Sequence, residues 1–87
     1  MEEEKVMELK DTVEMMNSED YKERFKAEYY QLKNRYEKLA TFSLKYRSGK
    51  LEFTPDCSYE LLDKQLQAMS RYIRCLEERA EIEDVKL

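Results

Sequence analysis

KYRSGKLEFTPDCSYELL, residues 45 to 62, contains the only glycine and the only proline of an 87-residue chain. Two of the strongest breakers of regular structure therefore lie six positions apart, with none elsewhere. Lys45 and Arg47 suit the carboxyl end of a helix, and Gly49 can take the left-handed conformation that closes one. LEF at 51 to 53 is extended, because a helix does not continue into the residue before Pro55. Thr54 or Ser58 then caps a second long helix, with Pro55 tolerated in a first turn. The chain reverses once.

On either side of this break apolar residues recur at helical spacing. Upstream, Phe25, Tyr29, Leu32, Tyr36, Leu39, Ser43 and Tyr46 alternate steps of four and three. Downstream, Tyr59, Leu62, Leu66, Met69, Ile73, Leu76 and Ala80 alternate three and four. A shorter stripe, Val6, Leu9, Val13 and Met16, precedes both. NSED at 17 to 20 offers Asn17 or Ser18 as an N-cap with two acids in the first turn. The expected fold is all-α: a long antiparallel hairpin of helices over about 19–47 and 58–83, with an additional amphipathic, acidic N-terminal helix over 1–17. Residues 18–87 form the hairpin within a single domain.

With 41% charged residues, no Trp and no His, the composition is that of long helices rather than an average globular fold. A chain of this size buries only about 60–65% of its unfolded surface, so a second chain would help to complete a core. The last helix carries a second apolar line, Leu61, Ala68, Cys75 and Ile82, spaced by sevens and set more than a quarter-turn from its main stripe. Its cover is either the N-terminal helix of the same chain or another copy. Packing alone leaves both open, and an oligomeric helical bundle is the expectation that uses the second.

Net charge is −4, but it is unevenly spread: eight acids and two bases over 2–20, three acids and nine bases over 21–50, nine acids and five bases over 51–87. The middle helix is locally basic and rich in tyrosine, a pairing suited to stacking on a base and forking onto phosphate. Residues off the main stripes are candidate ligand contacts: Tyr30, Arg35, Lys45, Arg47 and Lys50, with Arg71, Tyr72, Arg74 and Arg79 on the last helix. The bland alternative is charge-paired packing between a basic helix and two acidic ones, with solvated surface charges. Duplex nucleic acid is a poor partner for a chain of pI about 5.0.

Catalysis has little basis, with no histidine, no glycine-rich phosphate loop and no ordered acid cluster. Cys57 and Cys75 lie 18 apart with no CxxC and no histidine to complete a metal set, so they are expected as buried free thiols, with no metal and no cofactor. MEEEKVMELK lacks the pattern of a secretory signal, and no apolar run reaches the ~20 residues needed to cross a bilayer. The expectation is a soluble protein of a reducing compartment.

YKERFKAEYYQLKNRYEKLATF and ELLDKQLQAMSRYIRCLEERAEI together resemble the small helical-hairpin proteins of tailed phages, related to an uncharacterised protein family of crAss-like gut phages. The recognisable piece is LLxxQLxAMxxYxxxLxxR, namely Leu61, Leu62, Gln65, Leu66, Ala68, Met69, Tyr72, Leu76 and Arg79. The resemblance covers roughly 20 to 82. It implies a cytoplasmic anti-defence protein in a bacterial host: an oligomeric sponge for a cyclic nucleotide or nucleotide-derived signal, or a plug on a host defence protein in the manner of an anti-CRISPR. A structural phage component is a third reading, and no motif decides among them.

Overall fold

The computed structural model describes residues 7–87, so Val6 of the first stripe lies outside it. Among the described residues the chain is helical throughout: a 3-10 turn at Leu9–Thr12, α1 at Val13–Met16, α2 at Tyr21–Arg47 and α3 at Tyr59–Glu83. At about 1.5 Å per residue the 27 residues of α2 span about 40 Å, which accounts for the 43 Å long axis. No helix among the described residues is long and apolar enough to cross a membrane.

The break at 45–62 works as its chemistry requires. Gly49 has φ +72°, and its N–H donates to the Tyr46 carbonyl at 3.2 Å while Lys50 N–H reaches Lys45 at 2.8 Å. These two bonds absorb carbonyls that the end of α2 would otherwise leave unpaired. Ser58 caps α3 by accepting from Leu61 N–H at 3.1 Å. Asp20, rather than Asn17 or Ser18, caps α2 by accepting from Lys22 N–H at 3.0 Å, and Ser18 instead accepts from the Asp20 N–H. At the far end of α3 Asp84 adopts φ +58°, and Val85 N–H returns to the Ala80 carbonyl at 2.9 Å. That turn tucks Val85 into the core.

The α2–α3 seam follows the two long stripes. Phe25, Tyr29, Leu76, Ala80 and Val85 form its buried centre, with Leu32 and Ile73 packed against it. Tyr29 keeps its ring inside and donates its hydroxyl to Glu77 at 2.7 Å, so its polar end is satisfied. Toward the loop the seam is held by aromatic rings, Tyr46 on Tyr59 at 6.0 Å and Phe42 on Phe53 at 6.1 Å.

The N-terminal segment departs from expectation. Instead of a continuous helix over 1–17, its described part is a 3-10 turn followed by one helical turn, and Val13 and Met16 of its apolar stripe are exposed. Polar contacts hold it in place. Thr12 is fully buried and receives a hydrogen bond from Gln31 Nε2 at 2.9 Å, while Asn34 Nδ2 donates to the Met7 carbonyl at 3.1 Å. Gln31 and Asn34 lie on the side of α2 opposite Phe25 and Tyr29, as 100° per residue requires. Among the described residues the segment thus backs α2 and makes no packing contact with α3. Among the described residues, nothing in the chain covers Leu61, Ala68, Cys75 and Ile82, and residues 1–6 of the segment expected to cover them lie outside the described part.

Two stability measurements test this account. Leu76 is 1% exposed at the centre of the seam, so Leu76→Ala should cost about 2–5 kcal/mol in denaturant unfolding, more than Leu66→Ala at its half-buried site. A Cβ added at Gly49 meets nothing within 4 Å, so Gly49→Ala should cost only the backbone strain of a left-handed residue, about 1 kcal/mol.

Candidate functional site

One flank of the hairpin collects charge and aromatic surface. On α2 the residues Tyr21, Arg24, Phe25 and Glu28 fall within two turns, and the antiparallel arrangement brings Tyr72, Arg79 and Glu83 of α3 alongside them. Tyr21, Arg24, Phe25, Glu28 and Arg79 line a crevice of about 200 Å³. Its floor is the Phe25 ring, over which the Arg79 guanidinium sits at 4.9 Å from the centroid. The phenols of Tyr21 and Tyr72 lie along its edges, tied to Glu83 and Glu28 respectively.

Every charge here already has a partner. Arg79 forks onto Glu83 with Nε at 2.7 Å and a terminal nitrogen at 3.2 Å, and Tyr21 donates to the same carboxylate at 2.6 Å. Arg24 donates to the Ser18 carbonyl at 2.8 Å. The bonds from Arg79 and then Tyr21 hold the Glu83 carboxyl below the usual glutamate range. Donation to Glu83, followed by loss of solvent, pushes the Tyr21 phenol up, and donation to Glu28 does the same for Tyr72. Arg79 is held by Glu83 and Arg24 by a backbone carbonyl, so an anion that is to fork onto Arg79 must displace the Glu83 carboxylate.

Of the residues singled out from the sequence, the structure gathers Tyr72 and Arg79 here. Arg35 is exposed on the same flank two turns along α2 from Glu28. Tyr30 is half-buried and packs edge-on against Tyr29 at 5.2 Å, a structural position away from the crevice. Lys45, Arg47 and Lys50 sit exposed at the loop end, and Arg71 and Arg74 are exposed on α3 on the side turned from α2. The nine candidates are thus distributed over several places rather than one. Cys57 and Cys75 are both exposed, against the expectation of buried thiols: Cys57 lies in the loop, and Cys75 lies on the uncovered line.

Tyr21, Arg24, Phe25, Glu28 and Glu83 escaped the sequence reading. Their signal was present as the i, i+4 and i+7 positions of one α2 flank and as an i, i+4 pair in Arg79 and Glu83. Nothing in one helix reveals which flank of the other it will meet.

The arrangement is that of an all-helical hairpin protein with one charged, aromatic crevice on its side. A family model, Sequestin, matches residues 19–82, and the chain belongs to that family. The match covers α2, the loop and nearly all of α3, and leaves out the turn and α1. Searches of the curated proteins and of the solved structures return no match.

The carboxylate at the centre of the crevice has a measurable signature. Because its pKa is depressed, Glu83 contributes stability that is present above the unfolded-state value of about 4.3 and is lost as pH falls through the lower, folded-state value. Tyr21→Phe removes one of the two bonds responsible. The NMR titration midpoint of the Glu83 carboxyl should then rise toward the ordinary range, and an unmoved midpoint would show that the Tyr21 bond is not populated.

Proposed function

We propose that this chain is a non-enzymatic sequestering protein that captures a nucleotide-derived signal, with copies associating so that the ligand is held where they meet. The family name supports sequestration. The resemblance to phage hairpin proteins supports the setting: immune evasion by a phage, in the cytoplasm of a bacterial host, against a nucleotide second messenger of defence.

The observation that carries the reading is the crevice, lined by Tyr21, Arg24, Phe25, Glu28 and Arg79, with the Arg79 guanidinium over the Phe25 ring and Tyr72 bonded to Glu28 at its edge. A nucleotide needs a flat surface for its base and forked donors for its phosphate, and both lie within one crevice. Its size supports the second half of the proposal. At about 200 Å³ it falls below the 300–1,000 Å³ usual for a small-molecule site, so one copy holds part of such a ligand and a second supplies the rest. Capture proceeds by exchange: the phosphate displaces Glu83 from Arg79, and the released carboxylate moves into solvent.

Calorimetric titration with cyclic dinucleotides, cyclic trinucleotides and cyclic ADP-ribose species tests this. Binding by the wild type should weaken about 10- to 100-fold in Arg79→Ala, the worth of a charge-assisted hydrogen bond. Absence of heat with every one of these compounds would overturn the reading.

A further inference from the structure

The uncovered line on α3 has an internal order that its exposure alone does not reveal. Leu61, Ala68, Cys75 and Ile82 run large, small, small, large, and the sequence of sizes is the same in both directions about a midpoint between Arg71 and Tyr72. Seven residues turn a helix through about 700°, so each step drifts only about 20° and the four form one stripe. This stripe faces away from α2, with Leu61 54% and Ile82 78% exposed.

We infer that a second copy of this chain docks on α3, antiparallel, about a two-fold axis beside Arg71 and Tyr72. Leu61 then meets the partner's Ile82, and Ala68 meets the partner's Cys75. A two-fold contact must be self-complementary, and this order of sizes is: small residues face small at the centre, where the helices approach most closely, and large residues face large at the ends. The charges agree. With the axis midway between Arg71 and Tyr72, Lys64 stands within one residue, about 1.5 Å, of the level of the partner's Glu78, and the symmetry repeats the pair at the other end. Among the described residues neither makes an ion pair within the chain.

Other arrangements fit less well. A parallel pair sets Lys64 against Lys64 and Glu78 against Glu78. An antiparallel pair slipped by one heptad centres on Cys75 and leaves Leu61 uncovered.

The pairing deepens the capture reading, on which its functional meaning rests. The axis brings Arg71 beside the partner's Arg71 on one flank, with no acid at the same level. On the other it brings the two Tyr72 side chains together, each at the edge of its own crevice. The partner thereby contributes to both faces: a pair of guanidinium groups that calls for an anion, and a continuous aromatic edge between two crevices.

Disulfide trapping decides the register. In a Cys57→Ser background, Cys75 and the partner's Cys75 are offset by seven residues, about 10 Å along the helices and beyond the reach of a disulfide. Copper-phenanthroline oxidation should leave that protein monomeric on a non-reducing gel, whereas adding Ala68→Cys should give a covalent dimer. Cross-linking through Cys75 alone, failure of the Ala68→Cys variant to cross-link, or a single-subunit mass in sedimentation would each overturn the inference. As a second measurement, Lys64→Glu and Glu78→Lys should each raise the dimer dissociation constant roughly tenfold and restore it when combined, because each single change sets like charges together twice; additive weakening in the double variant would contradict the pairing. Nucleotide titration of the wild type reports separately on capture. Heat of binding with a single-subunit mass would remove the pairing and leave capture, and a trapped dimer without heat would do the reverse.

Discussion

Two antiparallel helices bury one stripe of each against the other, and the buried apolar cluster of this chain lies in that one contact. Phe25, Tyr29, Leu76 and Ala80 close it at the centre, and the return of Val85 seals one end. The rings of Phe42, Tyr46, Phe53 and Tyr59 close the other. The register of this seam also sets the crevice, because it alone decides that Glu28 lies beside Tyr72 and Tyr21 beside Glu83.

The N-terminal segment is attached by different means. Its contact with α2 rests on Thr12, Gln31 and Asn34, with the Asn34 Oδ1 left without a partner among the described residues. Buried polar contacts contribute less net free energy than apolar burial of similar area, but they require one geometry. The segment therefore fastens to one place on α2, away from α3. Among the described residues, that position leaves the crevice and the second apolar line of α3 open.

In the crevice the residues that attract an anion are neutralised by their own neighbours. Glu83 holds Arg79 in place, which avoids leaving a guanidinium uncompensated over the Phe25 ring. Under the proposed exchange, selectivity follows because a ligand must both outcompete a carboxylate and present a surface for the aromatic rings.

The two long helices, their reversal at Gly49, the Ser58 cap and the residues of the seam were legible in the order of the amino acids, because spacing and capping are local physics. The second apolar line of α3 was legible too. What covers it was not: the stripe of Val13 and Met16 suggested a cover, whereas the tertiary structure fastens that segment to the back of α2 by polar side chains whose periodicity carries no apolar signal. The α2 cap at Asp20 and the left-handed Asp84 were also missed, since several neighbouring residues could serve each role. Of the candidate site, Tyr72 and Arg79 stood out as polar positions off the main stripe of α3, but Tyr21, Arg24, Glu28 and Glu83 became part of it only through helix pairing that joins residues 44 to 62 positions apart in sequence. A helix declares its own faces through its period; which face of another helix it will meet is settled by packing between segments that the sequence lists separately.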